Sequence, residues 1–468
     1  MRRTKLVCTI GPASVDRVHE LVEAGMDVAR LNFSHGTDAD HLRAADAVRR
    51  AADEQGRVVA ILADLPGPKV RLGELPAGGV ELAAGQRFRL GPGERPPDGA
   101  ETTHPTLAAD LDEGDRIMLA DGAVELRVTG RDGDVLETEV VRGDDVRSGA
   151  GLNASSERLQ LPAVTDRDRA ALETIRAIGA DYVAQSFVRT AGDVRELRDL
   201  MGEPPAPIMA KIETRSAVEQ LPAILAEVDA LMLARGDLGV EIAFEEVPLI
   251  QKRLIDASVA AGVPVVVATQ MLESMVNAPR PTRAEASDVA NAVLDGADAV
   301  MLSAETAIGA YPVLAARAAA SICEAAEADP SMIHRPAPTD PAEDGSAAAI
   351  AAAAVGLVRE RRDPALQAIA CFTRTGTTAR LLARLRPGRP ILALSPDGAV
   401  VRQLALLRGV VPVASSVPAD TDQMIELMDR SLREAGFAPG AEVVLVASIP
   451  FGAARTNVLK LHRLGDGA

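Results

Sequence analysis

The sequence predicts an α/β fold: a (β/α)8 TIM barrel with an inserted small β-barrel lid domain and a C-terminal open α/β domain. Three observations support this class. Eight short apolar runs alternate with helical patterns over roughly the first 330 residues. A stretch rich in Gly, Asp and Pro interrupts this rhythm after the third run. A new alternation of strand and helix patterns then begins near residue 346.

The eight apolar runs predict the strands of the barrel, because parallel strands covered by helices are apolar on both faces. Between them, segments such as 38–56 and 165–179 repeat apolar residues at spacings of three and four, which is typical of amphipathic helices. Eight such units favour closure into a barrel. The predicted strands are KLVCTI (5–10), VARLNF (28–33), VVAILA (58–63), YVAQSF (182–187), PIMAKI (207–212), ALMLAR (230–235), VPVVVAT (263–269) and AVMLSA (299–304).

The interruption at residues 70–160 predicts a small all-β domain, inserted between barrel residues 1–69 and 161–333. Short alternating runs and the turn signals Asp121-Gly122 and Asp132-Gly133 indicate hairpins. An insertion at the carboxyl end of a barrel strand overhangs the mouth, so this domain is a candidate lid.

The rest of the chain predicts a third unit. The Pro-rich segment 334–345 is a candidate linker, and residues 346–468 predict a separate open α/β domain.

Composition and charge exclude several classes of protein. A net charge of -17 and an aromatic content of 2% argue against a nucleic-acid partner. No apolar run reaches the roughly 18 residues of a membrane span, and the first apolar run is too short for a signal peptide. The three separated cysteines indicate neither a disulfide framework nor a zinc site. We therefore expect a soluble, cytoplasmic protein.

The candidate site lies at the carboxyl ends of the predicted strands, where barrels gather functional side chains. Lysine occurs at only five positions, so a lysine at the mouth indicates a function that needs a compact point charge. The strand ends carry Arg30, Asn32, Ser34, Asp64, Ser186, Lys211, Glu213, Arg235, Gly236, Asp237, Thr269, Gln270, Ser303 and Glu305.

Two acids in this ring, Glu213 and Asp237, are suitable ligands for Mg²⁺, which takes one or two carboxylates plus substrate oxygens. The alternative is that they only stabilise helix N-termini. Lys211 and Glu213 could likewise form a structural ion pair. The chain lacks the usual phosphate-loop, dinucleotide, zinc-protease and serine-hydrolase motifs, so those functions have no support.

Several long segments of the chain are similar to the pyruvate kinase family. They occur in order over essentially the whole sequence, and the predicted lid and C-terminal domain fall where that family has them. The resemblance implies Mg²⁺-dependent transfer of the phosphoryl group of phosphoenolpyruvate to ADP, which gives pyruvate and ATP in glycolysis. The segments are TKLVCTIGPAS, VARLNFSHG, PIMAKIET, LMLARGDLGVEI, VVVATQMLESM, PTRAEASDVANAVLDGADAVMLSAETAIGAYP and RTNVLKLHRLG.

The resemblance also implies roles at the reacting centre. Arg30 would bind the substrate phosphate, and Lys211 would stabilise charge on the transferring phosphoryl group and the enolate oxygen. Glu213 and Asp237 would hold Mg²⁺, for which Mn²⁺ is a possible replacement. Thr269 would help to deliver a proton to the enolate carbon, through water.

Further roles follow from the same resemblance. The amides of Gly236 and Asp237 would receive the substrate carboxylate. His35, Arg71 and Arg167 would face the nucleotide phosphates under the lid. Arg167 stands where a nucleotide-contacting lysine is usual, after a lid return (152–168) that lacks the family's Asn-Leu-Pro-Gly run.

One departure from the family concerns the monovalent cation. Asn32, Ser34 and Asp64 of its K⁺ pocket are present, but Leu65 replaces a Thr and Lys69 replaces a Glu. An ammonium at Lys69 would bring a +1 charge to the same region. Family members with this lysine are similar in lacking a K⁺ requirement, so we predict that K⁺ is not required. The alternative is that Lys69 lies at the lid hinge while K⁺ still binds.

A loop in the C-terminal domain is a candidate effector site. Its amides and hydroxyls could cradle the phosphate of a sugar-phosphate or nucleotide effector, as a similar loop does in the family. The alternative is an ordinary capped turn. The resemblance further implies a homotetramer and allosteric regulation. The loop residues are Thr373, Arg374, Thr375, Gly376, Thr377 and Thr378.

Two other functions stay open at this stage. One is a Mg²⁺-dependent barrel lyase acting on a 2-oxo acid, which would also pair a Glu and an Asp around an enolate. The predicted lid and effector-like domain argue against it. The other is a non-catalytic ligand sensor, which the presence of every reacting-centre residue disfavours.

Overall fold

The computed structural model describes residues 2–93, 95–154, 159, 161–328, 345–360, 366–448 and 456–465. Of the linker predicted at 334–345, all but the last residue lie outside this described part. Residues 155–158 and 160 of the lid return also lie outside the described part of the chain. The domain boundaries placed at 69/70, 160/161 and 333/346 therefore stay predictions.

Eight parallel strands close into a barrel, which confirms the predicted fold class. The eighth strand pairs back to the first, with Lys5 opposite Ala299. The observed strands match the predicted ones, shorter by one or two residues at some ends, and the third strand ends one residue later, at Asp64. They are Lys5–Ile10, Val28–Asn32, Ala60–Asp64, Tyr182–Gln185, Ile208–Ile212, Ala230–Ala234, Val265–Ala268 and Ala299–Leu302.

The surrounding helices begin where local sequence specifies a cap. Thr37, Thr165, Thr190 and Thr282 each accept a hydrogen bond from the third residue of a helix, whose acidic side chain bonds back to the threonine amide. Helices in this part of the chain are Val18–Glu23, Asp38–Glu54, Asp166–Ile178, Ala191–Met201, Arg215–Glu219, Leu221–Leu225, Arg235–Glu241, Val247–Ala261, Arg283–Asp295, Ala304–Ala307 and Pro312–Glu327.

The inserted lid is a curled antiparallel sheet with its own apolar core. A single bridge between Leu72 and Thr102 links the two edges of the sheet, so it closes on itself. The Asp132-Gly133 hairpin is present as predicted. In sheet order the strands are Val70–Arg71, Gly151–Ala154, Arg116–Leu119, Val124–Asp132, Val135–Arg142, Arg87–Gly91 and Gly99–Glu101, with Gly79–Glu81 and Asp145–Arg147 as a separate pair.

The C-terminal part is an open five-stranded sheet flanked by helices, as predicted. Its strand order is Val410–Ala414, Ile391–Ser395, Leu366–Phe372, Glu442–Ala447 and Val458–Arg463, the last antiparallel. Its helices are Gly345–Glu360, Thr377–Arg384, Gly398–Gln403 and Thr421–Glu434. Among the described residues, no helix combines the length and the apolar character needed to cross a lipid bilayer.

The C-terminal domain covers the end of the barrel opposite the strand carboxyl ends. Ala405 and Leu406 lie in the apolar cluster that fills the barrel interior. Nearby, Arg402 Nε lies 2.7 Å from Asp181 Oδ1, and the Tyr182 hydroxyl donates to the Gln403 carbonyl at 2.9 Å. The barrel therefore has one covered end, and its mouth faces the lid.

We expect Leu406→Ala to destabilise the chain, since it leaves a void where the two domains meet. The expected cost is about 2–5 kcal/mol, measured as a lower midpoint of thermal unfolding. Leu249→Ala is the control, because Leu249 is 59% exposed. Equal midpoints for the two variants would show that Leu406 contributes nothing to this contact.

Candidate active site

Lys211 lies at the centre of the barrel mouth, at the carboxyl end of the fifth strand. Its ammonium lies 2.7 Å from the Ser186 hydroxyl, 3.1 Å from Glu213 Oε1 and 3.3 Å from Asp64 Oδ1. Burial by itself lowers the pKa of this lysine, but the Asp64 and Glu213 carboxylates outweigh that effect and the pKa is raised. The ammonium is therefore fixed as a permanent charge.

Arg30 approaches the same acid from the second strand. Its Nε lies 2.6 Å from Asp64 Oδ2, and its Nη1 donates to the Thr9 hydroxyl at 3.0 Å. Burial by itself raises the pKa of Asp64, but Lys211 and Arg30 outweigh that effect and the pKa is lowered. One buried carboxylate thus holds the two predicted catalytic cations in place.

The two predicted metal ligands follow neighbouring strands of the barrel. Glu213 is 1% exposed, and its Oε2 accepts from the Phe187 amide at 2.8 Å. Burial raises the pKa of Glu213, and the negative charge of Asp237 raises it further, while Lys211 opposes both. The two acids are thus close enough to repel each other. Such a pair is stabilised by a cation between or beside its members.

The two carboxylates fit Mg²⁺, which is usually held by one or two carboxylates together with substrate and water oxygens. Within the described ranges, no group of three or more His, Cys, Asp or Glu side chains is arranged to hold a metal ion. Glu213 and Asp237 would therefore need oxygen ligands from the substrate to complete such a site.

Lys69, the predicted substitute for the monovalent cation, contacts one acid of the barrel and one of the lid. Its ammonium lies 2.9 Å from Asp237 Oδ1 and 3.6 Å from Asp121 Oδ1 of the lid. Burial by itself lowers the pKa of this lysine, but Asp237 outweighs that effect and the pKa is raised. The structure thus pairs Lys69 with a predicted metal ligand.

The predicted monovalent-cation pocket has protein partners for its oxygens. Asn32 Oδ1 accepts from the Ser34 amide at 3.1 Å, and the Leu65 carbonyl accepts from the Ser186 hydroxyl at 2.7 Å. Asp64 is the charged member of this group, and its two oxygens face Arg30 and Lys211 as described above.

Gly236 and Thr269 meet beside the mouth. The Gly236 amide donates to the Thr269 hydroxyl at 2.8 Å, and this hydroxyl donates to the Ala268 carbonyl at 2.6 Å. Thr269 has φ +69° and Gln270 has φ +54°, a left-handed backbone that is strained for residues other than glycine. Such strain is common at functional sites.

The three predicted nucleotide-binding residues lie on one side of the mouth. Burial lowers the pKa of His35, and the positive charges of Arg71, Arg167 and Arg30 lower it further. Arg167 donates to the Ser34 carbonyl at 2.8 Å, and Arg71 donates to the Gly149 carbonyl of the lid at 3.1 Å. The structure therefore brings His35 together with the positive charges of Arg71 and Arg167.

Arg235 has a structural role, because it connects neighbouring segments of the barrel. Its guanidinium makes two contacts with the Asp288 carboxylate, at 2.7 and 2.6 Å, and donates to the Thr269 carbonyl at 2.9 Å. Sequence reasoning missed Thr9, which positions Arg30, and Phe187, whose amide orients Glu213. Thr9 lies near the carboxyl end of the first strand, and Phe187 follows the fourth. Neither side chain carries a charge that would have indicated a functional residue.

The candidate effector loop is a compact turn ahead of the helix Thr377–Arg384. The Thr373 hydroxyl accepts from the Gly376 amide at 3.0 Å, and Gly376 has φ +82°. The hydroxyls of Thr375 and Thr377 lie 2.9 Å apart, and Thr378 bonds to Thr456. This geometry accounts for a capped turn and leaves a role in effector binding a prediction.

The fold and the site together define a class of enzyme. A barrel mouth with Arg30 and Lys211 held over two acids, under a lid, suits catalysis on an anionic, metal-bound substrate. Comparison with known proteins makes this specific. The family model for the pyruvate kinase barrel domain matches residues 1–316, and the model for the pyruvate kinase alpha/beta domain matches residues 348–462. The chain belongs to the pyruvate kinase family, whose members are phosphotransferases.

Full-length relatives agree with this assignment. The chain is 44% identical over 474 residues to a pyruvate kinase of Mycobacterium tuberculosis, with 99% of each chain covered. It is 42% identical over 476 residues to that of Corynebacterium glutamicum, covering 99% of this chain and 98% of the relative. For Geobacillus stearothermophilus the identity is 41% over 477 residues, covering 99% and 81%. The lyase alternative finds no support in these matches.

We expect Gly67→Ala to disturb the site. Gly67 has φ +67°, and an added Cβ would lie 2.7 Å from Ser186 Cβ. Because Ser186 bonds to Lys211, the displaced lysine should lower turnover by about 10-fold to 100-fold.

The control for this prediction is Gly56→Ala. Gly56 has φ +59°, and an added Cβ would meet nothing within 4 Å. It therefore carries the same backbone strain without the contact. Turnover and thermal midpoint are measured for both variants. Equal turnover would contradict a role of the Gly67 contact in placing Lys211.

Proposed function

We propose that this chain catalyses the Mg²⁺-dependent transfer of a phosphoryl group from phosphoenolpyruvate to ADP, which yields pyruvate and ATP in glycolysis. The observation that carries the proposal is the Lys211 ammonium, held at 2.7 to 3.3 Å from Ser186, Glu213 and Asp64 at the barrel mouth. Family membership supplies the reaction, and this geometry supplies the groups that it needs.

Lys211 and Arg30 would carry the electrostatic part of the reaction. Phosphoryl transfer spreads negative charge over the transferring oxygens, so catalysis depends mainly on positioning and on cations that are already in place. Arg30 would bind the phosphate. Lys211 would stabilise the charge that develops on the phosphoryl group and on the enolate oxygen. Both are fixed by Asp64, so little rearrangement is required.

Glu213 and Asp237 would hold the divalent cation. The raised pKa of Glu213, to which the negative charge of Asp237 contributes, supports this role, since it indicates a place where a positive charge is favourable. When bound, Mg²⁺ neutralises charge on the phosphoryl and carboxylate oxygens of the substrate. Mn²⁺, which also prefers oxygen ligands, could replace it.

The substrate carboxylate would lie at the start of the helix Arg235–Glu241, against the amides of Gly236 and Asp237. The Gly236 amide donates to Thr269 in this structure. A bound carboxylate would take over that donor and free an acceptor position on the Thr269 hydroxyl oxygen. This oxygen could then orient the water that delivers a proton to the enolate carbon.

His35, Arg71 and Arg167 would face the phosphates of ADP and ATP. Their mutual proximity supports the proposal, because the two arginine cations suit a polyphosphate. Arg71 is itself part of the lid, on the strand Val70–Arg71, so nucleotide binding and the lid position would be linked there.

We propose further that K⁺ is not required. The charged oxygens of the Asp64 pocket already face Arg30 and Lys211, Leu65 offers no side-chain oxygen, and Lys69 adds a positive charge to the mouth. A cytoplasmic location remains a prediction from the composition, and a homotetramer and a sugar-phosphate or nucleotide effector remain predictions from the family resemblance.

Removing the central charge tests the main proposal. We expect Lys211→Met to lower turnover by about 10²-fold to 10³-fold with a much smaller change in KM for phosphoenolpyruvate. The measurement is pyruvate formation with and without ADP. Lys252→Met is the control, because Lys252 is a surface lysine paired with Asp295. Near-normal turnover of Lys211→Met at saturating Mg²⁺ would refute the role of Lys211.

The monovalent-cation proposal has its own test. Turnover of the wild type should change little when K⁺ is replaced by tetramethylammonium. Lys69→Glu should acquire a K⁺ requirement, because it removes the built-in charge and adds a negative one. If the wild type needs K⁺ as strongly as the variant, the proposal fails.

A further inference from the structure

The pairing of Lys69 with Asp237 has a consequence for metal binding. The ammonium lies 2.9 Å from Asp237 Oδ1, and each of the two side chains is 22% exposed. Asp237 is also one of the two carboxylates proposed to hold the divalent cation. A lysine ammonium and a divalent cation repel each other, and both seek the same negative oxygens.

We propose that Lys69 is an internal competitor of the divalent cation, and that it must leave Asp237 before a metal ion can bind there with full affinity. The proposal rests on the metal role of Asp237 proposed above and extends it. It makes Lys69 a residue that determines how tightly, and at what stage, the metal binds.

The position of the Lys69 side chain depends on its close contact with the returning lid strand. An added Cβ at Gly151, on the returning lid strand, would lie 2.7 Å from Lys69 Cε. The lysine stem therefore runs directly over a residue that has no side chain. This close passage directs the ammonium from the start of the lid toward Asp237 on the barrel.

A second carboxylate is placed to receive the displaced ammonium. Asp121 Oδ1 lies 3.6 Å from Lys69 Nζ, and the Asp121 side chain is 80% exposed. Asp121 has φ +53°, and the adjacent Gly122 lies close to Val240 of the helix that carries Asp237. Lys69 can therefore exchange partners over a short distance. Asp121 should lower the cost of releasing Asp237.

Two variants are expected to change metal affinity in opposite directions. Lys69→Gln removes the competitor, so the Kd for Mn²⁺ in the absence of substrates should fall about tenfold. Asp121→Asn removes the alternative partner and strengthens the pair with Asp237, so the Kd should rise about threefold. Lys69→Arg keeps the charge and should keep the weak binding of the wild type.

Each protein is titrated with MnCl₂, and the concentration of free Mn²⁺ is measured by electron paramagnetic resonance. Substrates are absent, and K⁺ is replaced by tetramethylammonium, then restored in a second series. Lys252→Met is the matched control, since it removes one lysine charge away from the mouth. Thermal midpoints confirm that every variant is folded.

The outcomes separate the two proposals. An unchanged Kd in Lys69→Gln, together with lost binding in Asp237→Asn, would overturn the competition and leave the metal site intact. Wild-type binding by Asp237→Asn would overturn the metal role itself. A lower Kd in Lys69→Gln but not in Lys252→Met, with or without K⁺, is the result that supports the inference.

Discussion

The buried carboxylate of Asp64 is the interaction on which the site depends. It is 1% exposed, and a charge so buried is tolerated only if it is paired. Arg30 and Lys211 supply the partners from two other strands of the barrel. Closure of the barrel is therefore also what assembles the cations, because the three residues are distant in sequence and meet only at the mouth.

The same principle recurs around the mouth, where polar groups of the protein pair with one another in positions that substrate and metal would use. Lys69 pairs with Asp237, and the Gly236 amide pairs with the Thr269 hydroxyl. These internal pairs satisfy buried donors and acceptors, so the arrangement is held before a ligand arrives. Under the proposed function, binding would exchange partners within an assembled site.

The two ends of the barrel are used differently. The mouth faces the lid, and the opposite end is filled by Leu406 and Ala405 of the C-terminal domain. The loop at Gly376 packs next to these two residues, since an added Cβ at Gly376 would lie 3.4 Å from Cδ2 of the neighbouring Leu404. Adjacent residues of one short segment, Leu404 to Leu406, therefore contact both the predicted effector loop and the barrel interior.

The secondary-structure elements and several site residues of this protein could be predicted from its sequence by local physical chemistry. Apolar runs of the length of a strand, helical spacing and threonine caps fix the elements, and barrel rules place Lys211, Glu213 and Asp237 at one mouth. Contacts between segments distant in the chain could not be predicted from the sequence. The choice of Asp237 as the partner of Lys69 depends on where the lid sits and on the missing side chain at Gly151. Sequence determined which charges are present, and only the tertiary structure decided which of them meet, because pairing depends on distances that chain order does not set.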